Sequence, residues 1–523
     1  MKDMNDKTLG NARLGCMALA LAALGGCAAQ QTMPDRTAPA LAASWKQQGE
    51  AVPAYVSPQW WQAFGSAELG GVVQAAQDQS LDMAAAMARV RQAEAATRQS
   101  GAALLPSLSG ELRAQRMNHA QVAGGQASVY GAALTASYEV DFWGRNRATR
   151  DAAAAAWQAS RFDQDTVRLT VTAQVAHGWL QAVALRERQA IAARNVANAE
   201  RLLGLVESRA RAGAATQLEL AQQRGLVASQ RQALATLRRQ GEDADATLAV
   251  LLGQARRPAL ATDSLQALQL PEIGAGLPTQ LLQRRPDIAS AEAQLTAASA
   301  NLQAARVALW PRLTLTGSAG TSAGRASDWL REPVYSLLAG LAGPIFDGGR
   351  LAAERDGAQA RREELLAGYY KSIVAAYGDV DLALNAVHGL KAQAEAQAEV
   401  LAQARQAVSL AELRYKAGAE SLLSLLQAQT TLYAAQDDAV LQRLLQLQAR
   451  VALYRALGGG WEAPAMGAEM PERQAQKKPG GIATWLRGQG QGRHPVLPGV
   501  RPEASGLKPA QLPRVMGTPA SLP

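Results

Sequence analysis

The chain has 523 residues, 48% of them hydrophobic, and its 53 Lys and Arg against 44 Asp and Glu give a net charge of +9. This apolar content excludes wholesale disorder, and the mean hydropathy of −0.12 argues against a protein made of many transmembrane helices. Two cysteines and four scattered histidines exclude a disulfide scaffold and give no reason to expect a metal site. The basic balance initially permits nucleic acid or anionic lipid as a partner.

The N-terminal segment predicts a lipoprotein signal peptide over residues 1–26. Basic residues precede an apolar stretch of about eleven residues, which is too short for a membrane-spanning helix of ~20 residues. It ends in Leu-Gly-Gly-Cys, which resembles the bacterial lipobox, where the cysteine becomes the acylated first residue of the mature protein. We expect a covalent lipid such as palmitate on Cys27, at the start of a lipidated segment over 27–65. The alternative is an ordinary signal peptide with an incidental cysteine.

Between residues 66 and 461 the chain contains two copies of one unit, at an offset of 205 residues. Landmarks that recur at this offset are Pro106 and Pro311, and Arg145 and Arg350. A constant offset over so long a stretch predicts a tandem duplication. The copies are expected at 66–262 and 278–461.

Each copy predicts a leading helix, two strands and a long helical hairpin. In the first copy the leading helix is expected over 67–104. The strands are expected at about 106–118, 128–142, 311–321 and 333–346, where apolar and polar residues alternate, although least clearly in the last. The hairpins are expected at 145–252 and 350–457, each with a glycine-containing turn. Such helices alone would also suit a rod-like coiled coil.

The alternating strands are compatible with a half-buried soluble sheet or with a lipid-facing barrel wall around a wet lumen. The lipoprotein signal, together with Trp143 and Trp310 at strand ends, favours the barrel. Four strands cannot close a membrane barrel, and an open edge would leave backbone groups unpaired in lipid. We therefore expect three chains to contribute twelve strands.

Three motifs, in their order along the duplicated unit, resemble the outer membrane factor family. They are LPSL at 105–108, YEVDFWGR at 138–145 and GPIFDGGR at 343–350. The chain resembles the TolC-like channels, in particular the lipidated NodT/OprM-type branch. The resemblance implies a mainly α fold with a small β part. In that fold, duplicated strand and long-helix halves form, as a homotrimer, a 12-stranded outer-membrane β-barrel continued by a periplasmic α-helical barrel.

The resemblance also implies a function, that of a passive exit duct in the cell outer membrane, lipid-anchored and extending into the periplasm. The duct would serve drugs or organic solutes, and hence multidrug resistance, within a tripartite system. An RND-type inner-membrane transporter would supply energy, and a periplasmic adaptor (membrane fusion) protein would grip the tunnel tip. A type I protein-secretion channel or a metal-efflux channel stays open as an alternative. A periplasmic adaptor lipoprotein is a remote one, because it would carry a single hairpin and more strands.

The two hairpin turns are the expected sites of adaptor contact. The candidate residues are Arg209, Arg211 and Gly213 in the first turn and Arg414, Lys416 and Gly418 in the second. The glycines permit a sharp reversal, and the basic side chains can meet acidic or carbonyl groups of a partner. The alternative is that these cations only complement the carboxyl ends of the helices.

The resemblance further implies that the second turn borders the closed aperture of the tunnel. Tyr415 falls where the family has a tip tyrosine, and Glu420 where the arginine partner of that tyrosine would lie. Ser424 and Gln427 occupy positions where family members often carry aspartates. We therefore expect little cation binding at this aperture and closure through hydrogen bonds and leucines. The leucines are Leu422, Leu423 and Leu426.

The sequence predicts no catalytic site, no metal and no cofactor other than the lipid. It contains no P-loop, GxSxG or HExxH motif. Residues 462–523 are rich in Pro and Gly without periodicity, which indicates a linker or disorder. Residues 471–523 carry +6 of the charge and residues 1–26 carry +1, which leaves +2 on residues 27–470. The body is therefore nearly neutral, and no nucleic-acid partner is expected.

Overall fold

The computed structural model describes residues 56–118, 126–325 and 333–462, together with 39–40, 42, 44–46, 327–328 and 331. The predicted signal peptide, Cys27 and all but the first residue of the predicted tail lie outside the described residues. Within the described ranges, no helix combines the length and the apolarity needed to cross a membrane.

Long helices dominate the described part of the chain, as predicted for a mainly α protein with a small sheet. The helices are α1 (Ala67–Gln79), α2 (Leu81–Ala102), α3 (Arg145–Arg211), α4 (Gln217–Leu251), α5 (Pro286–Val307), α6 (Arg350–Lys416) and α7 (Leu422–Ala456). The strands are β1 (Ser107–Asn118), β2 (Gln126–Val140), β3 (Arg312–Ala323) and β4 (Pro333–Ala342). Single helical turns occur at Trp60–Phe64, Leu265–Ala267, Pro278–Gln280 and Leu281–Arg284. The long helices α3 and α6 each have 67 residues, and the return helices α4 and α7 each have 35.

The prediction of one continuous leading helix over 67–104 is wrong, because the helix breaks at Ser80. Ser80 has an extended backbone, with φ −61° and ψ 129°. The turn that follows α4 packs against this break. A Cβ added at Gly253 would lie 2.5 Å from the carbonyl oxygen of Gln79, so the two backbones approach closely at a position that only glycine fits.

Two strands end earlier than predicted, and an aspartate between each of them and the next helix caps that helix. β2 ends at Val140 instead of 142, and β4 ends at Ala342 instead of 346. The Asp141 carboxylate accepts hydrogen bonds from the first backbone N–H groups of α3. The Asp347 carboxylate does the same at the start of α6. Each carboxylate thus satisfies donors that the helix itself leaves unpaired.

The four strands form one antiparallel sheet in the order β1-β2-β3-β4. Leu112 pairs with Ala132 in the first hairpin, and Gly317 pairs with Leu337 in the second, so the register recurs at the 205-residue offset. The β2–β3 pair joins the two copies. Among the described residues, β1 and β4 each pair with a strand on one side only.

The sheet exposes large apolar side chains on one face, as the alternation predicts. The residues with this exposure include Leu108, Leu112, Leu134, Leu315, Tyr335, Leu337 and Leu341. The opposite face carries polar and charged residues such as Glu111 and Arg113, except in β4, where Val334 and Leu338 are also exposed on that face. One face of the sheet therefore suits lipid and the other water.

The main core lies about midway along α3, between α1, α3 and the parts of α4 and α7 that are farthest from the turns. Trp60, Phe64 and Trp179 are buried there, and the Trp60 ring stacks on Tyr454 with centroids 5.0 Å apart. A second cluster holds Trp45, whose indole Nε1 donates to the Gly276 carbonyl oxygen at 3.1 Å. The first cluster joins both copies far from the turns, whereas the second packs Trp45 against residues of the second copy.

Candidate functional site: the two hairpin turns

The first turn reverses the chain between α3 and α4. Gly213 has φ +75°, a left-handed conformation that favours glycine. α4 then begins with a reciprocal cap. The Glu219 carboxylate accepts from the Thr216 backbone N–H at 2.6 Å, and the Thr216 hydroxyl accepts from the Glu219 N–H at 3.2 Å. This capping box satisfies two of the orphan donors at the helix start.

The second turn has the same backbone but a different cap. Gly418 has φ +73°, and the Ser421 hydroxyl accepts from the Ser424 N–H at 3.3 Å. Ser424 stands where the first turn has Glu219 and cannot return this bond with a carboxylate. Glu420 replaces it, because its carboxylate accepts from the Ser421 N–H at 3.2 Å. The capping carboxylate therefore precedes the helix in the second turn.

Tyr415 lies between the two hairpins and is only 2% exposed. The apolar cluster around it comes from both hairpins and comprises Leu202, Val206, Leu220, Leu422 and Leu425. Leu422, which we expected to help close the aperture, is thus used within the chain, whereas Leu423 is 64% exposed. Burial raises the pKa of the Tyr415 phenol, and its hydroxyl has no hydrogen-bond partner among the residues that the structure describes.

Arg209 contacts Tyr415 and does not project from the turn as an adaptor-binding cation would. Its guanidinium carbon lies 4.6 Å from the centroid of the tyrosine ring, and its Nη1 donates to the Tyr415 carbonyl oxygen at 2.9 Å. Such a cation–π contact is favourable. The sequence indicated that the link of this tyrosine to an arginine is altered, because Glu420 takes the usual arginine position. The structure supplies the arginine from the other copy, a cross-hairpin contact that the sequence did not reveal.

The other basic candidates remain exposed at the turns, each with an acceptor on its own hairpin. Arg414 lies 3.4 Å from the Glu420 carboxylate, and Arg211 bonds the Glu207 carbonyl. Lys416 lies 2.8 Å from the Glu412 carboxylate. All three cations are exposed despite these partners, so they stay accessible to another protein.

Glu412 ties α6 to the first hairpin. Arg201 Nη1 on α3 lies 2.8 Å from its carboxylate. The pKa of Glu412 falls to about 2, because Arg201 first and then Lys416 donate hydrogen bonds to the carboxylate. Farther from the turns, Arg188 on α3 makes a two-pronged ion pair with Asp437 on α7 at 2.7 and 2.8 Å. Charged pairs thus recur along the seam between the hairpins.

Both expected aperture positions are exposed in the single chain. Ser424 and Gln427 present a hydroxyl and an amide, and the nearest acid in sequence is Glu420. Hydrogen bonding from the Ser424 hydroxyl, and then from the Ser421 N–H, lowers the pKa of Glu420. Among the described residues, no group of three or more His, Cys, Asp or Glu side chains is placed to hold a metal ion.

The sequence matches the family model described as outer membrane efflux protein twice, at residues 72–254 and 277–459. The chain belongs to the outer membrane efflux protein family. It is 49% identical over 420 residues to the pyoverdine export outer membrane protein OpmQ of Pseudomonas aeruginosa, covering 78% of this chain and 89% of that one. It is 32% identical to the outer membrane protein OprJ of the same species, covering 86% and 96%.

Solved channel structures share the fold of this efflux protein. The open state of the MtrE outer membrane channel of Neisseria gonorrhoeae superposes with a TM-score of 0.74 at 26% identity, covering 82% of this chain and 98% of that one. The family resemblance, the fold class and the expectation of an outer membrane efflux duct extending into the periplasm are therefore confirmed. The family and these relatives are channels and ducts, not enzymes.

Proposed function

We propose that this efflux duct exports pyoverdine or an organic molecule closely similar to it. The observation that supports this proposal is a difference in sequence identity between two groups of relatives. The two pyoverdine export proteins OpmQ, of Pseudomonas aeruginosa and Pseudomonas putida, are 49% and 47% identical to this chain. Relatives named for antibiotic, solvent or toluene efflux are 32–33% identical. This proposal narrows the expected cargo class of drugs and organic solutes to one kind of solute.

The duct works, in this proposal, as a homotrimer that receives cargo from an RND-type inner-membrane transporter through a periplasmic adaptor. The exposed cations of the turns, Arg211, Arg414 and Lys416, support adaptor contact there. The unpaired sheet edges support assembly with further copies. The protein carries out no catalytic step, and its one attached group is the lipid on Cys27, which anchors it to outer membrane lipid.

A complementation experiment tests the cargo. The chain is expressed in a Pseudomonas aeruginosa strain that lacks OpmQ, and pyoverdine is measured in the medium and inside the cells. We expect pyoverdine to return to the medium, whereas OprJ expressed to the same level leaves it in the cells. A second arm uses a Pseudomonas putida strain that lacks the antibiotic efflux protein ArpC. Restored antibiotic resistance without pyoverdine export would contradict the proposed cargo.

A further inference from the structure

A polar cleft of about 530 Å³ lies between the two hairpins, where α4 and α7 flank α3. Its volume is within the range of about 300–1,000 Å³ that is usual for small-molecule sites. Asn195, on the α3 floor of the cleft, precedes the end of this helix at Arg211 by 16 residues. At 1.5 Å per residue this separation is ~24 Å, so the cleft is distinct from the turns.

Asn195 is a buried polar residue at the floor of this cleft. It is only 5% exposed, and it lines the cleft. Among the described residues, its side-chain amide has no hydrogen-bond partner. Leaving a buried amide unpaired is costly, and most such groups in folded proteins are paired. An apolar residue would avoid this cost, so the amide needs a reason other than packing.

The polar lining of the cleft is not inherited from the repeat. Four polar residues of the lining correspond, 205 residues later, to apolar residues. The polar residues are Asn195, Gln230, Thr236 and Gln240, and their equivalents are Val400, Ala435, Leu441 and Leu445. The hairpins have helices of equal length, so their geometry alone gives no reason for this difference. The polar residues are therefore specific to the cleft between the two hairpins.

The charges of the cleft are already paired with each other. Arg188 bonds both carboxylate oxygens of Asp437, at 2.7 and 2.8 Å, and the other lining side chains are uncharged. Amides and hydroxyls both donate and accept hydrogen bonds, while Ile191, Leu237 and the ring of Tyr433 offer apolar contact. This lining suits an uncharged solute that itself carries amide and hydroxyl groups. An ionic solute would have to compete with the existing ion pair.

The cleft lies away from the side of α3 that holds the segment 263–277 between the copies. The Glu187 carboxylate accepts a hydrogen bond from the Leu265 backbone N–H of that segment at 2.7 Å. Ala192 and Asn195, on the floor of the cleft, lie roughly 140° and 80° around the helix axis from Glu187. A duct must keep its bore open, so the segment between the copies belongs on the outer side of the tunnel wall. The cleft then opens toward the lumen.

We infer that this cleft is a luminal binding site for small uncharged solutes rich in amide and hydroxyl groups. The inference rests on the proposed duct function, and it gives the duct wall a site that retains one chemical class of cargo. The bound solute pairs with the Asn195 amide at the floor and with Gln230 and Thr236 on the α4 wall. A solute without hydrogen-bonding groups would leave Asn195 unpaired and is not retained.

Binding to the purified full-length protein in detergent tests the site. The probe is N-acetyl-triserine amide, which is uncharged and has an amide and a hydroxyl in every residue. N-acetyl-triaspartate amide is the charged comparison, and saturation-transfer NMR measures both dissociation constants. We expect the triserine probe to bind and the triaspartate probe not to bind. Asn195→Val, which installs the residue type of the second copy, should weaken binding of the triserine probe about fivefold, as the loss of one hydrogen bond implies.

Two further variants control this measurement. Asn198→Val changes an exposed asparagine on the same helix that does not line the cleft, and it should leave binding unchanged. Gln230→Ala changes a partly exposed residue of the α4 wall, where folding is not at risk, and it should weaken binding as Asn195→Val does. Failure of the native chain to bind the triserine probe would overturn the site. Equal binding by the native chain, Asn195→Val and Gln230→Ala would overturn it as well.

Thiol labelling in intact cells tests the luminal placement. The reagent is a polymer-linked maleimide that is too large to cross the outer membrane except through the duct. We expect Gln230→Cys to be modified, whereas Asn198→Cys, roughly 20° around α3 from Glu187, stays unmodified. Equal labelling of the two variants, or labelling of neither, would overturn the placement. If the chain binds the triserine probe but fails to export pyoverdine, the proposed cargo is wrong and the site stands.

Discussion

Arg209 and Arg211 lie two residues apart at the end of α3, yet their surroundings differ. Arg209 covers the ring of Tyr415, whereas the hydrogen bonds of Arg211 among the described residues go to its own helix. The sequence marks both as tip cations. It could not separate them, because the partner of Arg209 is on the other hairpin, 206 residues away. This pair therefore offers a matched comparison of a connecting arginine and a surface arginine.

We expect Arg209→Ala to loosen the tip while Arg211→Ala leaves it unchanged. The first variant removes a cation–π contact and a hydrogen bond, together about 1–2 kcal/mol. Amide hydrogen exchange at residues 212–216 should then accelerate roughly tenfold or more, since 1.4 kcal/mol is a factor of ten. Arg209→Lys keeps the charge over the ring and should retain part of the protection. Equal exchange in the Arg209→Ala and Arg211→Ala variants would contradict this role.

The ion pairs of Glu412 with Arg201 and Lys416 should persist in mild acid. Its pKa of about 2 lies below the ordinary value of 4.5, so its stabilisation is fully present above pH 4.5 and is lost as pH falls toward 2. We compare the protection of the hairpin-turn amides against hydrogen exchange in the native chain and in Glu412→Gln. The difference between them should be constant from pH 8 to 5 and should shrink below about pH 4. Hydrogen exchange at matched intrinsic rates measures it. If the difference disappears already at pH 6, a group other than Glu412 determines the pH dependence of this contact.

Aspartates restored at the second turn should make the aperture sensitive to divalent cations. Ser424→Asp with Gln427→Asp would place six carboxylates near the axis of the proposed trimer. The new Asp at 424 lies in the first turn of α7, where a negative charge is favourable, so folding should be preserved. Planar-bilayer conductance should show stronger Mg²⁺ block than in the native chain. Gln427→Asn is the neutral control, and unchanged block in the double variant would contradict the expectation.

At the scale of elements, periodicity predicted the hairpins well and the element ends less well. Helices α3 and α6 begin where the sequence indicated, because Gly144 and Gly349 precede them with positive φ. The break at Ser80 was not predicted. It depends on Gly253, which is distant in sequence, and local propensity carries no record of such an approach. Likewise, the early ends of β2 and β4 were not predicted.

Two glycines with nearly the same backbone should respond differently to alanine. Gly253 and Gly213 have φ +70° and +75°, but only Gly253 has a backbone atom at the site of the new Cβ. Gly213→Ala should cost about 1 kcal/mol, from the left-handed backbone alone. Gly253→Ala should cost clearly more, since the Gln79 backbone must also move. Thermal unfolding of the two variants in detergent measures this order, and equal melting temperatures would contradict the close packing at Ser80.

For the whole molecule, the duplication was readable from sequence because landmark residues keep one spacing. The contacts between the copies could not be predicted from the sequence. Contacts such as Arg188 with Asp437 join residue types that the repeat does not preserve. Gln393 and Gln232 occupy the equivalent positions. The charged pairs therefore belong to the assembled chain and are absent from either copy alone. Because these contacts join the two copies, the sequence predicted the two hairpin turns as separate sites, whereas the structure connects them.

The lipid anchor is a prediction for the whole molecule, since it would fix where the duct is retained. We expect Cys27→Ser to abolish fatty-acid labelling, because the thiol is the atom to be acylated. Cys16→Ser should leave labelling unchanged, because that residue lies within the predicted signal peptide. Metabolic labelling with a palmitate analogue followed by immunoprecipitation measures both. Labelling that persists in the Cys27→Ser variant would contradict the anchor.

The equal lengths of the hairpins limit how this protein can change. Because α3 matches α6 and α4 matches α7 residue for residue, both turns end at the same level below the sheet. Removing seven residues from each arm of one hairpin would raise its turn by ~10 Å at 1.5 Å per residue. The two turns would then lie at different levels, and a partner protein could not contact both in the same way. Insertions and deletions in the helices are therefore tolerable only when both halves of the gene acquire them together.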